Sequence, residues 1–140
     1  MTGNARPQTQ EPKGPQYQAL TGKFFELLAK GSSSEAIDYL FNTNPRFNKM
    51  SDKIDQLKTQ FASLRTLSGT YVSQVKLVET KVGDIYVYQH FFVAYDRQPI
   101  SVRITYYKPG ANWVCQSLQF DTDVDDVIRK AADNSLRLEQ

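Results

Sequence analysis

The segment GDIYVYQHFFVAY, residues 83–95, decides the fold of this chain. Its aromatic and β-branched residues alternate with a period of two, which is typical of a half-buried strand over about 84–95. Similar segments lie at about 70–81, 100–108 and 112–121. The links between them are short and contain Gly83, Pro99 and Pro109-Gly110, so they join antiparallel neighbours. The second half of the chain is therefore predicted to be a four-stranded antiparallel meander.

Upstream of Gly69 the apolar residues recur with the helical period of about 3.6 instead. This period predicts helices over about 16–30, over a short segment that ends before Pro45, and from near Ser51 to Leu67. Ser32 and Glu35 have the spacing of a capping box at the start of the second helix. A last short helix is predicted at about 123–132. The order indicates an α+β domain, with N-terminal helices packed on a curved meander and a short C-terminal helix.

Composition indicates one domain with two polar ends. Residues 1–15 are rich in proline and glycine and are predicted to be a disordered polar tail. Residues 16–134 are predicted to be the folded domain, and 135–140 a flexible C-terminus.

The net charge of +2 over 140 residues argues against nucleic acid as a partner. No apolar run is long enough for a transmembrane segment. The polar start would suit a tail behind a removed signal peptide, which would make the protein periplasmic or secreted, and otherwise cytoplasmic.

Turn positions give a provisional strand register. If Lys81 opposes Asp84 and Tyr95 opposes Ile100, one face carries the apolar residues that receive the helices: Val72, Val78, Val87, Phe91, Val93, Val102, Ile104 and Tyr106. The opposite face is aromatic, and it also holds Tyr71, Val75 and Leu77. Burial of such a patch calls for a second copy of the chain. The sequence therefore predicts a homodimer whose interface consists of Tyr86, Tyr88, His90, Phe92, Arg103, Thr105 and Tyr107.

Catalytic and metal chemistry find little support in the residue types. With one cysteine and one histidine, the chain excludes an internal disulfide, a cysteine-based zinc site and every two-histidine metal motif. His90 is either a general base or a hydrogen-bonded histidine in an aromatic face, and Cys115 either a nucleophile or a small hydrophobe. The acidic residues at 121–126 fail the EF-hand pattern and suit a helix N-terminus. We assign no catalytic residue, metal or cofactor.

Four segments carry a family resemblance: FFELL at 24–28, SEAIDYL at 34–40, GDIYVY at 83–88 and NWVCQSLQF at 112–120. In their order along the chain they resemble the nuclear transport factor 2-like superfamily, the cystatin-like α+β roll. The resemblance covers about residues 16–134, and the similar proteins are small bacterial ones of unknown function, often exported. It implies a conical cavity between helices and sheet. Candidate ligand-binding residues around its mouth are Tyr39, Phe47, Tyr106, Trp113, Ser117 and Gln119.

Two functions remain open. The first is a non-enzymatic dimeric binding or accessory module, favoured by the aromatic second face. The alternative is a protein that binds a small apolar or acidic ligand in the cavity, or an enzyme of isomerase or hydrolase type that uses it. A weaker hypothesis is a cell-envelope protein that its proline-rich tail tethers.

Overall fold

The structure, a computed structural model, describes residues 14–139, without the side chains of 127, 131 and 134–139. Residues 1–13 of the predicted tail lie outside the described part, as do Gln140 and the side chains of the predicted flexible C-terminus. The described elements are, in chain order, α1 (Tyr17–Ala29), α2 (Ser33–Phe41), α3 (Ser51–Ser68), β1 (Tyr71–Val82), β2 (Tyr86–Tyr95), β3 (Ile100–Tyr107), β4 (Val114–Asp121) and α4 (Val124–Glu139). The predicted α+β class, with helices before a four-stranded antiparallel sheet, is confirmed.

The helix boundaries follow local chemistry, with three departures from the sequence analysis. Ser32 is the N-cap of α2, but its side chain makes no capping hydrogen bond, so the predicted capping box is wrong. A short 3-10 helix, Pro45–Lys49, was not expected; the Asn44 side chain caps it by accepting a bond from the Arg46 amide. α4 runs to Glu139 instead of ending near 132.

The sheet has the strand order β1-β2-β3-β4, so β1 and β4 are its two edges. Val93 pairs with Ile100 and Phe91 with Val102. This is a shift of two residues from the predicted register, and an even shift leaves every side chain on its predicted face. The helix-facing positions of β2 and β3 are accordingly buried: Val87, Phe91, Val93, Val102, Ile104 and Tyr106.

The predicted register of β1 is wrong. Its first hairpin closes with Val82 opposite Tyr86, and two bulges interrupt the pairing further along, between Tyr71 and Ser73 and between Lys76 and Val78. Bulges and an odd shift exchange the two faces. Val72 and Val78, predicted to be buried under the helices, are 61% and 43% exposed. Tyr71, assigned to the other face, pairs instead with buried Tyr95 and packs on the core.

The core lies between α1, α2, α3 and one face of the sheet. Leu20, Phe24 and Leu28 recur on one stripe of α1, and each is almost fully buried. Phe25 packs edge-on against Phe91 of β2, with ring centroids 4.8 Å apart. Burial of each such side chain contributes roughly 1.5–3 kcal/mol to folding. We call this the helix side of the sheet and the opposite one the outer face.

Candidate functional site

The edge strand β4, the 3-10 helix and the N-terminal half of α3 form a groove of about 420 Å³. Of the residues predicted to bind a ligand, Phe47, Ser117 and Gln119 line it. Met50, Ile54 and Leu57 supply its apolar wall and are themselves partly buried on the core. The volume lies within the range of small-molecule sites, about 300–1,000 Å³. We refer to it as the α3–β4 groove.

Tyr39, Tyr106 and Trp113 lie elsewhere. Tyr39 packs on the core as a partly buried side chain. Tyr106 is inaccessible, its hydroxyl lies 2.7 Å from Thr21 Oγ1, and burial raises its pKa. Trp113 is buried edge-on against Tyr17, with ring centroids 5.1 Å apart. The structure therefore places half of the predicted set in the core.

Two cations reach the α3–β4 groove, and the described lining holds no carboxylate. They are Arg46, from the 3-10 helix, and Lys53, from the first turns of α3. The Arg46 guanidinium lies over the Phe47 ring, 4.7 Å from its centroid, and its Nη2 donates to the Gln116 carbonyl at 3.3 Å. These contacts fix the orientation of the planar group and leave most of its five donors for another acceptor. Sequence reasoning missed both cations, because the loop that brings Arg46 to β4 has no sequence signature.

The outer face carries all seven residues predicted for the dimer interface, but the exposure of their side chains differs. The register pairs Tyr86 with Tyr107, and both are 38% exposed. His90 and Thr105 are each only 7% exposed within the single chain. Tyr88, Phe92 and Arg103 are half-buried. The accessible apolar surface therefore lies toward one edge of the sheet.

That surface continues onto β1, where the sequence analysis placed Val75 correctly on the outer face and Val78 wrongly on the helix side. Val75 and Val78 pair with Phe92 and His90, and they are 56% and 43% exposed. Val82 and Ile85 extend the same surface to the tip of the hairpin. We call the six exposed residues the apolar strip: Val75, Val78, Val82, Ile85, Tyr86 and Tyr107.

His90 lies on the outer face, where its Nε2 is 2.6 Å from Ser101 Oγ. Burial and the nearby Arg103 charge lower the pKa of His90, although Asp121 opposes them. A serine–histidine pair can act as nucleophile and base only if substrate reaches the hydroxyl. Ser101 is 1% exposed, and Arg103 engages Asp121 at 3.2 Å. The arrangement has the features of a satisfied buried pair.

Cys115 faces the helix side, opposite Tyr106, so the sheet separates it from His90. Its side chain is fully buried, and burial raises the pKa of the thiol to about 12. A thiol in this state holds its proton at neutral pH and is a poor nucleophile. Its backbone connects β4 to the segment after α2, since Asn44 Nδ2 donates to its carbonyl and its amide donates to Thr43 Oγ1.

A polar network that sequence reasoning missed joins α1 to the sheet. Glu79 accepts hydrogen bonds from Tyr17, Gln89 and Lys76 at 2.8–2.9 Å. Burial alone would raise the pKa of Glu79, but the hydrogen bonds outweigh it and lower the pKa to about 2. Thr21 completes the network by donating to Gln89 at 2.7 Å. A regular alternation of side chains in β1 would have indicated this network, but the two bulges interrupt that alternation.

Among the described residues, no group of three or more histidine, cysteine, aspartate or glutamate side chains could hold a metal ion. Two of the acidic residues at 121–126 form ion pairs: Asp121 binds Arg103, and Asp126 binds Arg129 and Lys130. Over the same described residues, no helix has the length and apolar character needed to cross a membrane.

Comparison with known proteins finds no match: no family model, no curated protein and no solved structure is similar to this chain.

Proposed function

We propose that this chain is a non-enzymatic binding or accessory module, of the nuclear transport factor 2-like type, that works as a homodimer through its outer face. The single observation that carries the proposal is the apolar strip. Six large side chains of the outer face and of the turn between β1 and β2 are between 38% and 60% exposed. A contiguous apolar surface of this kind marks an interaction site.

The contact we infer is face to face rather than edge to edge. β1 is an edge strand, but it carries two bulges and the lysines Lys76 and Lys81. Bulges and edge lysines are the devices that keep a free strand from pairing with another chain. Because a stable interface buries about 800 Å² per partner, the contact extends from the strip to the half-buried Tyr88, Phe92 and Arg103.

The chemistry of the interior supports a non-enzymatic role. His90 and Ser101 are buried against each other, and the Cys115 thiol is buried on the other side of the sheet. Neither the His90 imidazole nor the Cys115 thiol therefore faces an open cavity, whereas a general base must reach a substrate.

Sedimentation equilibrium of the full chain at micromolar concentration tests this function. We expect a dimer for the natural sequence and a monomer for Val82→Lys, because dimerisation of this variant would have to bury the charged lysine in the interface. Leu67→Lys is the matched control: it lies near the end of α3, is 63% exposed, and is outside the sheet. A monomeric natural chain, or equal effects of the two substitutions, would overturn the proposal.

A second candidate function is a small-molecule-binding protein, and the α3–β4 groove favours it. The groove brings three of the predicted ligand residues, Phe47, Ser117 and Gln119, beside two cations. The groove lies at the β4 edge, whereas the apolar strip runs over β1 and the ends of β2 and β3, and the two share no lining residue, so the same chain could carry both functions.

A further inference from the structure

We propose that the α3–β4 groove binds an amphipathic monoanion, a carboxylate with an unbranched apolar tail, through Arg46 and Lys53. The inference rests on the second candidate function and names the class of its ligand. Neither cation belonged to the ligand-binding set that the sequence predicted.

The head-group end of the groove is built around Arg46. Its guanidinium contacts the Phe47 ring on one side and the Gln116 carbonyl at its Nη2. An arginine held in this way presents its remaining N–H groups in a fixed plane, and a carboxylate matches that plane with two parallel bonds. Pre-orientation of the guanidinium also reduces the entropy lost on binding.

The charge of the groove is one-sided. Lys53 adds a second cation, and no aspartate or glutamate is among the described residues of the lining. The nearby carboxylates, Asp38 and Asp55, line an adjoining depression that shares Phe47 and Ile54 with the groove, and there Lys58 pairs with Asp38 at 2.8 Å. Among the described residues, no ion pair occupies Arg46 or Lys53, so both can receive an anion from outside.

The rest of the groove suits a tail. Met50, Ile54 and Leu57 follow one another along α3, and Leu118 faces them from β4. Helical spacing of three and four places the α3 side chains in a row, which forms an apolar wall rather than a single contact. A free inorganic anion would leave that wall in water, whereas an apolar tail would cover it.

Decanoate, used below its critical micelle concentration, is the probe. Methyl resonances of Ile54, Leu57 and Leu118 in the full-length chain report its binding by NMR titration. Three further probes separate the parts of the ligand: decanol keeps the tail without charge, decylammonium reverses the charge, and acetate keeps only the head group. We expect saturable shifts with decanoate and at least about tenfold weaker binding of decanol and decylammonium, because a charge-assisted bond contributes that much. Acetate should also bind at least about tenfold more weakly, because it has no tail to cover the apolar wall.

Two variants test the cations. We expect Arg46→Gln and Lys53→Gln each to weaken decanoate binding by about tenfold or more. Lys49→Gln, an exposed lysine of the same 3-10 helix outside the groove lining, is the matched control and should bind as the natural chain does.

The outcomes separate this inference from the function on which it rests. If decanol or decylammonium shifts the same methyls with equal affinity, or if Arg46→Gln binds decanoate unchanged, the carboxylate class is wrong while small-molecule binding survives. If none of the four probes shifts these methyls, both the inference and the groove's binding function fail. The oligomeric state, measured separately, bears on neither result.

Discussion

The Tyr17 hydroxyl donates a 2.8 Å hydrogen bond to Glu79 Oε2, across 62 positions of sequence. It joins the first turn of α1 to the edge strand β1, most of whose side chains are exposed. Few apolar contacts hold β1 under the helices. The hydrogen bonds that Glu79 accepts from Tyr17, Gln89 and Lys76 therefore contribute much of what keeps this strand in place.

The stability of the fold should depend on the ionisation of Glu79. Its folded pKa of about 2 lies below its ordinary value of 4.5, so its contribution is complete above pH 4.5 and is lost as the pH falls from 4.5 toward 2. We expect Glu79→Gln to lower the free energy of unfolding at pH 7 by about 1–3 kcal/mol and to flatten its dependence on pH in that window.

Chemical denaturation at a series of pH values measures both effects. Glu35→Gln, at an exposed position in the first turn of α2, is the control and should lower the free energy of unfolding by less than Glu79→Gln does. An equal loss of stability in both variants would show that Glu79 has no special role.

Gly69 should tolerate no side chain. It lies between α3 and β1 with a φ of 97°, and an added Cβ would overlap Asp96 Oδ1, which accepts a bond from the Thr70 amide. We expect Gly69→Ala to lower the free energy of unfolding by at least about 2 kcal/mol, because backbone strain and the lost bond add.

Gly22 should respond to the same substitution in the opposite direction, with a gain in stability. It lies within α1, and nothing lies within 4 Å of an added Cβ. We expect Gly22→Ala to raise the free energy of unfolding by about 0.5–1 kcal/mol, the difference in helix propensity. Thermal melts of the two variants compare them directly, and destabilisation of Gly22→Ala would contradict the geometry.

His90 should titrate below its ordinary value of 6.5. Burial and the Arg103 charge favour its neutral form in the folded chain, so protonation costs stability as the pH falls below 6.5. An NMR titration of the imidazole resonances measures the midpoint. A midpoint above 6.5 would mean that Asp121 dominates the surroundings of the ring and that the assignment of causes is wrong.

Cys115 should be inert in the folded chain. With the thiol pKa raised to about 12, almost none of it is thiolate at pH 8. We expect no reaction with a thiol-specific reagent over minutes in buffer and complete reaction in guanidinium chloride. Rapid labelling of the folded chain would instead point to an accessible, activated thiol.

The sequence predicted those features of the fold that depend on the spacing of apolar residues. The helical stripe of α1 and the alternation of β2 and β3 identified the elements and the buried face, since a shift of two residues preserves sides. The prediction was wrong for β1, where two bulges place Val78 on the outer face and Tyr71 on the helix side of the sheet. Bulges arise from local backbone geometry that no side-chain period records.

The candidate groove was predictable only in part. Phe47, Ser117 and Gln119 were predicted around the mouth of the cavity that the family resemblance implies, and they line the groove. Arg46 and Lys53 were not predicted, because their placement depends on the 3-10 helix before α3, and such short helices leave no periodic signal.

The most direct test of the proposed dimer is an isotope-filtered NOE experiment on a mixture of labelled and unlabelled full-length chains. It detects only contacts between two copies. We predict intermolecular NOEs between the methyls of Val78 and Val82 and the rings of Tyr86 and Tyr107. Absence of intermolecular NOEs at millimolar concentration, or NOEs confined to residues outside the outer face, would contradict the account.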